Sequence, residues 1–69
     1  MSSAIELIVN GLTRLKDRQS LEDLRMHRRR MVIDLKPKTG FDYRLTISHV
    51  EQDIAAIETG LNTLSGPVT

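Results

Sequence analysis

The sequence has no cysteine and no tryptophan, and its only aromatic residues are Phe41 and Tyr43. Without cysteine there are no disulfides and no thiolate metal sites. So few aromatic side chains leave little for the base stacking that single-strand nucleic-acid binders use. At 69 residues the chain forms at most one small domain, 1–69, with a marginal core. We therefore expect association with a partner or with further copies to add stability.

Long apolar runs are also missing. None approaches the roughly 20 residues that a membrane-spanning helix requires. Residues 1–9 do not place a positively charged start before an apolar stretch, as a secretory signal would. We expect a protein that is neither secreted nor in a membrane, and that has no membrane partner.

The chain offers little for catalysis. His27 and His49 are its only histidines, and no spacing provides three metal ligands. Ser48, His49 and Asp53 are the residue types of a hydrolase triad, but the first two are adjacent and would point apart. A helix cap followed by exposed first-turn residues explains them better. We expect a non-enzyme with no catalytic residue, no metal and no cofactor.

The charges are unevenly distributed along the chain. Residues 14–44 hold all ten Lys and Arg against five acids, for a net charge of +5. Residues 45–69 have no Lys or Arg and three acids, Glu51, Asp53 and Glu58. A basic middle beside an acidic end favours head-to-tail contacts between copies, or docking on a larger surface of mixed sign. The alternative is a solvated surface whose charges cancel within the fold.

Two helices are predicted in the first half. Helical spacing of apolar residues from Ser3 to about residue 18, with a serine cap, predicts the first. Gly11 either weakens that helix or marks a close helix contact. Ser20, followed by two acids, predicts the N-cap of a short second helix that ends in the basic run 27–30. Whether the two helices join is left open. The apolar stripe of the first helix consists of Ile5, Ile8, Val9, Leu12 and Leu15.

Residues 31–47 determine the fold class. Apolar residues alternate with polar ones over 41–47, and 31–35 alternates almost as well. Pro37 and Gly40 lie in the five-residue loop between these runs, which predicts a β-hairpin at about 31–47. A capping box at 48–51 then starts the last helix. The prediction is an α+β fold with the order helix, short helix, β-hairpin, helix.

A second pattern competes with the hairpin. Apolar residues follow the 4-3-4-3 spacing of a coiled-coil seam, and Thr39 would cap one long helix. The fold would then be an all-α antiparallel helical hairpin. This seam leaves Phe41 and Leu45 unused, so we favour the β-hairpin. The seam residues are Tyr43, Ile47, Val50, Ile54, Ile57, Leu61 and Leu64.

The basic run at 25–30 is the clearest candidate for an interaction site. It could hold a phosphate backbone, or it could end a helix and pair with the acidic last helix. A net charge of +1 is low for a dedicated nucleic-acid binder. Leu7, Met26 and Val32 lie off the apolar stripes and are further docking candidates. The predicted interaction residues are Arg25, Arg28, Arg29 and Arg30 of one copy, which we expect to meet another acidic surface or the acids of a neighbouring copy, Glu51, Asp53 and Glu58.

Residues 30–58 resemble the hairpin-plus-helix of small phage head-to-tail joining proteins, most closely at Ile54-Ala55 and Glu58. The resemblance implies a ring-forming connector beneath a phage portal. The basic segment 20–30 is an insertion relative to that pattern.

A second resemblance fits the all-α alternative. Thr39-Gly40 and the segment 47–61 are similar to the end of ribosomal protein L29, a two-helix hairpin that lies on rRNA. The acidic last helix departs from that basic family.

Together these observations predict a non-enzymatic assembly subunit that acts through protein partners and further copies of itself. The first resemblance implies a virion head-to-tail connector component, so we expect the protein in the virion or the cytoplasm. The alternative is an RNA- or DNA-binding module that uses Arg25–Arg30.

Overall fold

A computed structural model of the chain describes residues 4–38 and 40–65. Three α-helices account for most of this part: α1 (Ala4–Arg14), α2 (Arg18–Leu35) and α3 (Phe41–Ser65). It contains no strand. The predicted α+β fold with a β-hairpin at 31–47 is therefore wrong, and the all-α helical hairpin is confirmed. None of the three helices is long and apolar enough to cross a membrane.

The two long helices, α2 and α3, form an antiparallel hairpin. The guanidinium of Arg18 at the start of α2 donates to the Ser65 hydroxyl at the end of α3, over 2.8 Å. Pro37 lies in the turn between the helices, where its missing N–H and fixed φ do not disturb either helix. Thr39, the predicted cap of α3, lies outside the described residues.

Helix replaces strand at 41–47 because the seam, not the alternation, identifies the buried residues. Val50, Ile57 and Leu61 on the seam are buried, whereas Phe41 and Leu45 are 72% and 47% exposed. Tyr43, the first residue of the seam, is 41% exposed. Phe41 and Leu45 lie on the surface of α3, and their alternation with polar residues gave the false indication of a strand. The capping box predicted at 48–51 lies inside α3 and starts no helix.

The junction of the first two helices also differs from the prediction. The first helix ends at Arg14, not near residue 18, and Lys16 turns the chain with a φ of 56°. Asp17, not Ser20, is the N-cap of α2: its carboxylate accepts bonds from the Ser20 N–H (3.1 Å) and the Ser20 hydroxyl (2.7 Å). Both hydrogen bonds lower the pKa of Asp17 below its usual value, and the bond from the Ser20 hydroxyl has the larger effect.

Helix α1 packs on one side of the hairpin and runs parallel to α3. Gly60 of α3 provides the close approach, because a Cβ there would meet Val9 and Thr13 of α1. Gly11, the other candidate for a close contact, has no such neighbour. The core joins all three helices and consists of Ile5, Val9, Leu21, Ile57 and Leu61.

Candidate interaction surface

Ion pairs link α2 to α3 within the chain. Arg29 Nη2 lies 3.0 Å from Glu58 Oε2, and Arg25 Nη1 lies 3.9 Å from the same oxygen. Both reach it because residues four apart share one side of a helix. Arg28 Nε lies 3.7 Å from Asp53 Oδ2. These side chains are between 28% and 56% exposed, so each pair contributes only about 0–1 kcal/mol.

This arrangement shows where the predicted interaction residues lie. The structure brings three arginines of the cluster against Asp53 and Glu58 of the same chain. Arg30 and Glu51 make no ion pair within the described residues. The cluster was predicted at the end of a short helix, and that placement is wrong, because α2 continues to Leu35. Cations held by carboxylates of their own chain are less available to phosphate.

The free end of the hairpin carries a concentration of exposed apolar side chains. We call residues 30–38 and 40–47 the hairpin tip. An α-helix rises about 1.5 Å per residue, so the 11 residues of α1 reach less than half the length of the 25-residue α3. Val32 is the only buried residue of the described tip. The exposed large apolar residues there are Met31, Ile33, Phe41, Tyr43 and Leu45.

Cations accompany these apolar residues. A shallow depression of about 370 Å³ is lined by the basic side chains of Lys36, Lys38 and Arg44, together with Gly40 and Ile47. No carboxylate lines it, and its three cations make no ion pair within the described part of the chain. The Lys38 ammonium lies 5.7 Å from the centre of the Tyr43 ring. The lining of the depression, as far as the structure describes it, is therefore positively charged.

A second depression, of about 400 Å³, lies where α1 meets the middle of the hairpin. Ile5 and Ile8 form its apolar side, and His49 lies with Arg28 and Asp53 on its polar side. Asp53 pairs with Arg28, while Ser48 and His49 are exposed. The described residues hold no group of three or more His, Asp or Glu that could bind a metal ion.

The three docking candidates predicted from the sequence differ in their exposure. Leu7 and Met26 are 64% and 57% exposed, so both are accessible. Val32 is only 7% exposed and packs in the interior, so its prediction as a docking residue is wrong. Sequence reasoning missed Phe41 and Leu45, although their exclusion from the coiled-coil seam was the signal that they lie on the surface.

Comparison with known proteins adds no relationship. No family model, no curated protein and no solved structure matches this chain.

Proposed function

We propose that this protein is a non-enzymatic assembly subunit that docks through the tip of its helical hairpin and is present in more than one copy. The observation that carries the proposal is the concentration of exposed apolar side chains at the tip. Phe41 is 72% exposed and Ile33 is 68% exposed, and the tip also carries Lys36, Lys38 and Arg44, which make no ion pair within the described residues. Large apolar side chains exposed together with charged ones are typical of protein-docking surfaces.

The marginal size of the core supports the same proposal. Only seven apolar residues of the described chain are buried, and two of them are fully enclosed, Leu21 and Ile57. A chain this small gains much of its stability from any contact that covers further apolar surface. Docking at the tip would cover the part of the hairpin that α1 does not reach.

The finer role of a virion connector has lost its main support. The resemblance to phage joining proteins was carried by a predicted β-hairpin, and that segment is helical. We therefore propose the assembly role without a specific assembly.

Nucleic-acid binding is the second candidate. The helical hairpin, the shape expected from the resemblance to ribosomal protein L29, favours it. The cations of the tip, Arg30, Lys36, Lys38 and Arg44, supply charge for it. Against it, the arginines first assigned to this role, Arg25, Arg28 and Arg29, pair with Asp53 and Glu58.

Sedimentation velocity of a tip variant tests the assembly role. The double variant Phe41→Ser with Leu45→Ser removes apolar surface at the tip and should weaken self-association. Leu7→Ser with Leu15→Ser is the matched control, because these α1 residues are 64% and 76% exposed but lie away from the tip. Equal association of the tip variant and the control would contradict the proposal.

A further inference from the structure

The outer side of α3 carries a strip of exposed residues that no part of the described chain covers. Its members recur at the 3-4-3-4 spacing that keeps side chains on one side of a helix. Unlike the buried seam of the same helix, it mixes one large aromatic residue, two small residues and two opposite charges. The strip consists of Phe41, Arg44, Ser48, Glu51 and Ala55, all of them exposed.

The two charged members of this strip are among the described residues that the intrachain ion pairs leave out. Arg25, Arg28 and Arg29 are matched by Asp53 and Glu58. Arg44 and Glu51, seven residues apart, make no ion pair within the described residues. They are also too far apart along the helix, about 10 Å, to pair readily with each other.

We infer that the strip is a self-complementary interface, occupied by α3 of a second copy of this chain lying antiparallel to the first. The inference rests on the proposed function and names the partner for this side of α3, where Phe41 and Arg44 of the strip belong to the tip. A two-fold axis that crosses α3 close to Ser48 makes residue numbers on the two helices sum to about 96. Arg44 of each copy then lies opposite Glu51 of the other, forming two reciprocal ion pairs.

The same two-fold axis also pairs large side chains with small ones. The axis places Phe41 of one copy opposite Ala55 of the second, so the largest residue of the strip meets one of the smallest. Ser48 faces its own symmetry mate, and its small side chain permits close approach of the helices. An isologous contact requires this self-matching, because one strip supplies both sides of the interface.

The cationic depression strengthens the match. Lys36 and Lys38 line it together with Arg44, and none of the three makes an ion pair within the described residues. A carboxylate of Glu51 from the second copy would enter a region of unbalanced positive charge. The second copy is therefore favoured by charge as well as by shape.

Charge reversal followed by mixing tests this arrangement in the full chain. Alone, Arg44→Glu and Glu51→Arg each place like charges opposite one another at two points, so self-association should fall roughly tenfold or more. An equimolar mixture should recover it, because each variant then presents the charge that the other needs. Sedimentation equilibrium measures association, and circular dichroism verifies that each variant is helical.

Matched controls come from charged residues outside both the strip and the tip. Arg14→Glu and Glu22→Arg reverse charges that make no ion pair within the described residues, so association should remain at the level of the unmodified chain. If the unmodified chain associates but the strip variants behave like these controls, or the mixture shows no recovery, the interface is wrong and the assembly role stands. If the unmodified chain is monomeric at every concentration, both fail.

Crosslinking tests the position of the axis independently. The chain has no cysteine, so Ser48→Cys introduces a single thiol. Under mild oxidation by glutathione disulfide, this variant should form a disulfide-linked dimer, because the two thiols face each other across the axis. Asn62→Cys is the control, since its two thiols would lie about 40 Å apart. Equal crosslinking of both variants would overturn the antiparallel arrangement.

Discussion

Gly60 of α3 lies directly against Val9 of α1: a Cβ added at Gly60 would come within 2.6 Å of Val9 Cγ1. The same position would meet Thr13 Oγ1 at 3.0 Å. A valine methyl is short and stiff, so it cannot move aside without shifting the α1 backbone. This contact sets how closely α1 packs on the hairpin.

Gly60→Ala should therefore destabilise the protein despite alanine's better helix propensity. Overpacking typically costs about 1–3 kcal/mol, which exceeds the roughly 1 kcal/mol gained from helix propensity. Gly11→Ala is the matched control and should stabilise by about 0.5–1 kcal/mol, because nothing lies within 4 Å of its Cβ position. Urea denaturation measures both changes. A more stable Gly60→Ala protein would contradict the packing of α1 described above.

Ile57 should be among the most sensitive positions of the core. It is 0% exposed and belongs to the cluster that joins all three helices. Ile57→Ala should cost about 2–5 kcal/mol in unfolding free energy, through lost burial and the cavity left behind. Ile33→Ala removes the same atoms from a side chain that is 68% exposed and should change stability by less than about 0.5 kcal/mol. If Ile57→Ala and Ile33→Ala lost similar amounts of stability in thermal or urea unfolding, the assignment of Ile57 to the core would be wrong.

Asp17 should make the stability of α2 depend on pH in acid. Hydrogen bonds from Ser20 lower the pKa of Asp17 in the folded state. A group with a lowered folded pKa contributes stability above its unfolded pKa, and that contribution disappears as pH falls through the folded value. Asp17→Ala should lower the melting temperature at neutral pH. Asp17→Asn keeps an N-cap acceptor but cannot titrate.

The measurement is the unfolding free energy as a function of pH for these two variants and the unmodified chain. Asp17→Asn should lose less stability than the unmodified chain on acidification below about pH 4. If acidification lowered the unfolding free energy of Asp17→Asn and of the unmodified chain by the same amount, the role of Asp17 would be contradicted.

Nucleic-acid binding should be weak at physiological salt, because the Arg25, Arg28 and Arg29 side chains pair with carboxylates of their own chain. A gel-shift titration with duplex DNA and structured RNA checks this expectation. Tight binding that falls steeply with salt, and is lost in Lys36→Ala with Lys38→Ala, would favour the second candidate over the assembly role. The double variant Arg28→Ala with Arg29→Ala is the comparison. It shows whether nucleic acid binds to the basic run at 25–30 rather than to the lysines of the tip.

Sequence patterns predicted much of the core and misjudged the fold class. Helical spacing of apolar residues identified Ile5, Val9, Ile57 and Leu61 as buried, and all four are. The same stripe of the first helix was wrong at Ile8 and Leu15, which are 48% and 76% exposed. The segment 31–47 failed because Tyr43 and Ile47 satisfy both a seam and an alternating strand. Only tertiary packing distinguishes them, since the hairpin buries one side of α3 and leaves Phe41 and Leu45 exposed.

The candidate site was predicted in composition but not in arrangement. The sequence predicted that Arg25, Arg28 and Arg29 would meet the acids of the last helix in a neighbouring copy, with pairing inside the fold as the alternative. The structure pairs them with Asp53 and Glu58 of their own chain, an arrangement that depends on the antiparallel register of α2 and α3. That register also decides that Glu58 is in an ion pair and that Glu51 makes none within the described residues.

The account depends most directly on whether the unmodified chain assembles. Sedimentation equilibrium over a range from low micromolar to low millimolar protein, at low and at high salt, measures this. We predict a mass that rises above that of one chain as concentration increases, with weaker association at high salt because ion pairs contribute. A mass that stays at 7.8 kDa under all these conditions would contradict the assembly role.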